Sequence, residues 1–249
     1  METSGILFFL ILFLACIVSG LAGFGSNILA LPFLSLFLDV KTIVPVLVLT
    51  VFCNGLPRLL TQYRHINLRV YGIMLPLAVI GGIIGIRLTA ILPEGIMKLL
   101  LAILMLLVSV KGIYELRSGW KLTARKKLHP FLHGIPVIGG IMQGAFACGG
   151  PLFNIYILLN LQKKEQIRAT QFAIGATSSC FIFLQYLAAG AYQGQTLHFA
   201  LLLFPAVLLA YVVSEYIFKQ IDSSQFLHIV YLVLFFAGLM TGWQAFCLL

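Results

Sequence analysis

The stretches Ala147-Cys148-Gly149-Gly150-Pro151-Leu152-Phe153-Asn154 and Ala22-Gly23-Phe24-Gly25-Ser26-Asn27 decide how this chain folds. Each interrupts an apolar stretch long enough to cross a bilayer, residues 132–161 and residues 5–38. Paired glycines lack the Cβ atoms that restrict the backbone, so a helix can stop and turn there. Pro151 suits the first turn of a new helix, where its missing N–H would have had no intrahelical partner. Ser26 and Asn27 are N-cap residue types at the matching place. Each half is therefore predicted to hold a short helix whose N-terminus points into the membrane interior. Its free N–H groups and the positive end of its dipole would be available to an anion.

Composition fixes the class. The 249 residues are 61% hydrophobic and 9% charged, with a mean hydropathy of +1.07. Soluble domains are about half apolar and about a quarter charged, so the chain reads as an integral membrane protein. Its apolar runs of about 20 residues are far longer than barrel strands, which makes the fold all-α. The net charge of +9 sits in short loops between apolar spans. That pattern sets membrane orientation and does not suggest nucleic acid as a partner. Cys16, Cys53, Cys148, Cys180 and Cys247 all fall in apolar stretches with no CxxC pair and no His at metal spacing. They read as buried small hydrophobes, and no metal or other cofactor is expected. The opening Met-Glu-Thr-Ser has no positive n-region, so residues 5–22 read as an uncleaved first span.

Unbroken spans are expected at about 42–57, 70–92 and 96–114, then at about 169–190, 197–218 and 225–247. The first of these closes at Gly55-Leu56-Pro57-Arg58, leaving Arg58, Arg64 and Arg69 in a basic loop. Gly81, Gly82 and Gly85 predict close helix packing in the next span. A shift of 124 places Gly25 on Gly149, Ile43 on Ile167 and Asn54 on Ser178; a shift of 129–130 places Pro76 on Pro205 and Gly112 on Gly242. Residues 1–128 and 129–249 therefore read as two repeats of one transporter domain.

Charge chooses the topology. With all eight apolar stretches crossing in simple alternation, basic loops 58–69 and 115–130 would share a side and 162–168 would fall on the other. Suppose instead that each broken stretch enters, turns at its glycines and returns. Those three loops and Lys219 then face the cytoplasm, and of the 16 Lys and Arg only Lys41, Arg87 and Lys98 stay near the outer side. The positive-inside rule favours this second arrangement. The fold expected is an inverted-repeat helical bundle with a broken re-entrant helix in each half and a site near the bilayer midplane.

The residues Gly23-Phe24-Gly25-Ser26-Asn27-Ile28-Leu29-Ala30-Leu31-Pro32, Cys148-Gly149-Gly150-Pro151-Leu152 and Gly81–Leu88 resemble the TauE/SafE family of sulfite exporters, also called TSUP permeases. The resemblance covers nearly the whole chain. It implies transport of sulfite, thiosulfate, sulfonates or related organic anions across the cell membrane, in bacteria the inner membrane. The first break has one short glycine run where the family often has three adjacent glycines. The Ala-Thr-Ser pattern usual after the loop survives as Ala169-Thr170-Gln171 but reads Pro45-Val46-Leu47 in the first half.

An anion at the midplane must lose water, so backbone N–H groups and neutral donors have to replace it. Candidates in the breaks are Gly25, Ser26, Asn27, Gly149, Gly150 and Asn154. Thr50 and Asn54 share a helix face at i, i+4, and the matching region holds Thr177, Ser178 and Ser179; these either line the site or bond helix to helix. Cys148 either meets a sulfur substrate or fills space. Arg87 either snorkels to the outer surface or draws an anion into a vestibule. Glu215 lies well inside an apolar run, with Lys219 one turn on; with Arg87 it is the candidate for coupling or gating. The partners expected are a small anion, lipid and a coupling proton or ion. No paired-carboxylate or His-Glu-x-x-His constellation points to an enzyme. A passive anion channel and a membrane assembly factor are the alternatives to a carrier.

Overall fold

A computed structural model describes residues 2–22, 26–35, 38–118, 130–218 and 223–248. Gly25 and Lys219 lie outside the described residues, as does the side chain of Glu215. Among the described residues ten α-helices follow one another: α1 (Glu2–Ala22), α2 (Ser26–Leu34), α3 (Val40–Gln62), α4 (Leu68–Ile91), α5 (Glu94–Ser118), α6 (Gly134–Phe146), α7 (Gly150–Asn160), α8 (Lys164–Ala188), α9 (Gly194–Phe218) and α10 (Ser223–Leu248). Short 3-10 turns at Tyr63–His65 and Pro130–His133 precede α4 and α6. Among the described residues five segments are long and apolar enough to cross a membrane: Val40–His65, Leu68–Ile91, Glu94–Tyr114, Lys164–Ala188 and Gly194–Ser214. The chain is an all-α membrane protein.

The second broken stretch behaves differently from these spans. At about 1.5 Å per residue, the 13-residue α6 and the 11-residue α7 each cover only part of a hydrocarbon core roughly 30 Å thick. After the break α7 folds back antiparallel along α6. Gly149 lies against Gly139 and Gln143, Phe153 against Gly139, and the Tyr156 hydroxyl is 2.8 Å from His133 Nδ1. In the first half the nine-residue α2 packs on α1, α3 and α10.

Helix directions can be read from residue pairs. Val51 faces Gly175, Gly55 faces Ala176, and the Tyr192 hydroxyl, beyond the end of α8, donates to Pro45 O near the start of α3 at 2.8 Å. The helices α3 and α8 are therefore antiparallel. So are α5 and α10, where Gly112 meets Tyr231 and Gly242 meets Ala102. In contrast α1 runs parallel to α9, with Gly5 beside Leu202 and Gly20 beside Ser214, and α4 runs parallel to α6. Every one of these pairings is kept when α1–α5 are exchanged for α6–α10. Burial, more than neighbouring Tyr186 and Cys53, pushes the Tyr192 phenol above its ordinary value, so it stays a donor.

One expected boundary is corrected. The second span does not end at Pro57; α3 continues to Gln62, and Arg58 is a buried helical residue, 1% exposed, not part of a loop. Proline removes one backbone donor and loosens the turn before it. Here the Arg58 guanidinium donates to Asn54 O at 2.8 Å, and Thr61 Oγ1 donates to Pro57 O at 2.9 Å. With side chains taking up loosened carbonyls, a membrane helix keeps going past its proline. Farther on, Asn67 caps α4 by accepting from Val70 N at 3.1 Å.

The glycines of α4 pack as their spacing predicted. A Cβ on Gly81 would stand 2.1 Å from Val137 O, one on Gly85 2.3 Å from Ile141 O, and one on Gly140 2.2 Å from Ala78 O. All three obstacles are backbone, so the α4 and α6 axes approach as closely as small residues allow. Gly85→Ala is expected to force the helices apart and cost about 1–3 kcal/mol. Gly72→Ala on the same helix, where nothing lies within 4 Å, is expected to be neutral or slightly stabilising. Thermal unfolding of both variants in one detergent checks the contrast.

Candidate functional site

A cavity of about 60 Å³, room for a few water-sized groups, lies where the two breaks meet. Ser26, Asn27 and Ile28 supply its wall from the first break. Ala147, Cys148, Gly150 and Pro151 supply it from the second. Val51, Asn54 and Gly55 of α3 face Gln171, Phe172, Gly175 and Ala176 of α8 across the remaining sides, with Ser19, Gln143 and Phe153 also in the lining. A larger groove of about 290 Å³ between α1, α2 and α10 is lined by Ile11, Leu14, Ala15, Val18, Leu29, Phe33 and Val233. Those hydrocarbon side chains have no donor for an anion, so the groove suits lipid tails.

The second break is built by satisfying its backbone group by group. Ala147 ends α6 with φ at +55°, left-handed backbone that an alanine adopts at a cost of about 1 kcal/mol. Its N–H donates to Gln143 O and that of Cys148 to Met142 O. The Gly149 N–H donates to the Gln143 side-chain oxygen at 2.7 Å, while Gln143 Nε2 donates to Ser179 Oγ of α8 at 2.8 Å. Gly149 O accepts from Phe153 N, and Gly150 O accepts from Gln171 Nε2 at 3.0 Å. The Gly150 N–H has no acceptor among the described residues; it lies in the first turn of α7, where a helix offers no internal acceptor, and Pro151 has no N–H to place.

Asn27 joins the two breaks. Its Nδ2 donates to Leu47 O of α3 at 2.7 Å and to Ala147 O at 3.0 Å, and its Oδ1 accepts from Ser26 Oγ at 3.3 Å. A residue expected to face a ligand is thus spent on holding the site together. Gly149 is likewise occupied: its N–H is bonded, and a Cβ there would stand 2.4 Å from Gly139 O. The cavity therefore gathers Ser26, Asn27, Asn54, Cys148 and Gly150 of the sequence candidates. Thr50, Thr177 and Ser178 are not in its wall; their hydroxyls bond back to the carbonyls of Val46, Ala173 and Ile174 on their own helices. Asn154 is half-buried on α7 outside the lining, and Arg87 is exposed near the end of α4, away from the cavity. Cys148 lines the cavity with its thiol toward Phe146 O at 3.0 Å.

Three residues that the sequence does not single out as site candidates, Gln143, Gln171 and Arg58, stand at or behind this wall. Gln143 and Gln171 are long amides inside apolar helices, and that rarity was a readable signal. Arg58 gave none, because Pro57 placed it at a span end. It sits behind the cavity wall, donating to Asn54 Oδ1 and to Ser214 Oγ at 3.1 Å, with its guanidinium 4.9 Å from the ring centres of both Phe172 and Tyr211. A planar fork with several donors can join α3, α8 and α9 in this way; a lysine cannot.

Asn27→Ala leaves Leu47 O and Ala147 O without their side-chain donor, at an expected cost of about 1–3 kcal/mol. Asn27→Asp, which turns a second acceptor toward those carbonyls, should cost more. Thermal unfolding that ranked Asp above Ala in stability would contradict the assigned hydrogen bonds.

No curated protein and no solved structure matches the chain. Residues 8–241 match the family model described as Sulfite exporter TauE/SafE. With that match spanning almost the full length of an all-α membrane bundle, the chain belongs to the sulfite exporter TauE/SafE family of membrane transporters.

Proposed function

We propose that this protein is a carrier for a small oxyanion such as sulfite, and that the cavity between the breaks is its binding site. The observation that carries the reading is the makeup of the wall. Both interrupted helices reach it, and its lining residues include the donors Gly150 N–H, Asn54 Nδ2 and the Ser19 hydroxyl, set among apolar side chains and the Gln171 amide. The Asn54 oxygen is held by Arg58, which leaves the amide nitrogen as the end available to cargo. An ionised group taken from water into hydrocarbon is costly unless fixed donors replace its hydration. A cavity of about 60 Å³ suits a compact oxyanion better than a long organic one.

The packing supports an inverted repeat of residues 1–128 and 129–249. Corresponding helices α3 and α8 are antiparallel, and so are α5 and α10. Two halves of opposite orientation around one site are the architecture of alternating access, in which one half rocks against the other. In this reading α6 and α7 re-enter from the cytoplasmic side and α1 and α2 from the outer side. A bacterial inner membrane is the setting we assign. Arg87, near the outer end of α4, snorkels, and Glu215 is the carboxylate left for proton coupling.

In reconstituted vesicles, sulfite flux is expected to saturate with concentration and to show counterflow. Asn54→Ala should weaken sulfite binding about tenfold or more, the loss that follows removing a hydrogen bond to a charged group. Flux that rises linearly with concentration at channel-like conductance would overturn the carrier reading. Unchanged transport in Asn54→Ala would overturn the site.

A further inference from the structure

Gln171 is 6% exposed and lies in the cavity wall. Its Nε2 donates to Gly150 O at 3.0 Å. A carbonyl can only accept, so this bond fixes which end of the carboxamide is nitrogen. The other end, Oε1, is buried and has no hydrogen-bond partner among the described residues. A buried acceptor left unpaired is costly, and at a binding site that cost becomes a preference for an occupant that pairs it.

The wall thus has two polarities. Asn54 presents its amide nitrogen, because Arg58 occupies the oxygen, and Gly150 presents an N–H. Gln171, in the same wall, carries a buried oxygen that no described group pairs. A fully deprotonated oxyanion has only lone pairs: it satisfies Asn54 and Gly150 but turns lone pairs toward Gln171 Oε1. An anion of the same size that carries one O–H or N–H satisfies all three. Gln171 also touches the second break directly through Gly150 O, so an occupant bonded to it is coupled to the turn that starts α7.

We infer that Gln171 selects anions carrying their own hydrogen-bond donor, a protonated oxyanion or an amine-bearing or hydroxyl-bearing sulfonate, over bare anions of equal size and charge. This rests on the cavity being the anion site. The selection is made by one acceptor oxygen, whereas the affinity for negative charge comes from the donors opposite.

Sulfamate and methanesulfonate test it, since they share charge and shape and differ in an NH₂ against a CH₃. Calorimetric titration of the purified chain in nanodiscs should show sulfamate binding about tenfold tighter or more, the effect of one buried hydrogen bond. In Gln171→Met, which keeps side-chain length and removes the acceptor, the ratio should fall to about one with methanesulfonate affinity little changed. Equal binding of both probes to the unmodified chain would overturn the selection, as if water always held Oε1, and would leave the anion site standing. Discrimination that persists in Gln171→Met would also overturn it. Binding of neither probe, with sulfite flux also absent, would remove the site itself.

Discussion

The Asn27 side-chain amide stands between two interrupted helices that begin 124 positions apart in the sequence, at Ser26 and Gly150. Its two hydrogen bonds, to Leu47 O and Ala147 O, are made away from bulk water, so each replaces water that hydrocarbon cannot supply. The first consequence is geometric. Ala147 is held in left-handed backbone, α6 ends there, and the chain must turn back along itself as α7. The second is chemical: the turn opens a small cavity whose wall is drawn from both halves.

Around that link, polar groups divide into those that build and those that remain available. Gln143 spends both ends, on Gly149 N–H and on Ser179. Asn27 spends its donors on carbonyls. Asn54 spends its oxygen on Arg58, and Gln171 its nitrogen on Gly150. What is left among the described residues is one half of each of two amides, the Ser19 hydroxyl and a helix N-terminus. Arg58 acts through Asn54 and also ties α3 to Ser214 of α9. A buried guanidinium in such a place orients its neighbours as much as it attracts charge. Close approach of α4 and α6 through Gly81, Gly85 and Gly140 supplies the rigid side on which the turn is set.

Much of the fold was legible because lipid narrows the choices. Apolar runs can only be helices, and Gly149-Gly150-Pro151 can only end one and start another. The Gly81 and Gly85 pair announced its packing by four-residue spacing. Pro57 misled: proline beside arginine reads as a span end, yet α3 runs on because side chains take up the carbonyls near its loosened turn. Hydroxyls were the least readable. Thr50, Thr177 and Ser178 have the composition of site residues, but only their rotamers show that they bond to their own helices. Asn27 was found as a site residue, while its role as a brace depends on a carbonyl 120 positions away.

With the two interrupted helices entering from opposite faces of the bilayer, as we propose, the two ends of the α3–α8 pair face different compartments. Lys41, at the start of α3, and Lys163, just before α8, are both exposed and lie at opposite ends of an antiparallel helix pair. Single cysteines at these two positions, in a chain otherwise free of cysteine, can be probed in intact cells with a membrane-impermeant maleimide. The account predicts that Lys41→Cys is labelled from outside and Lys163→Cys only after the membrane is opened. Labelling of both from the same side would contradict it.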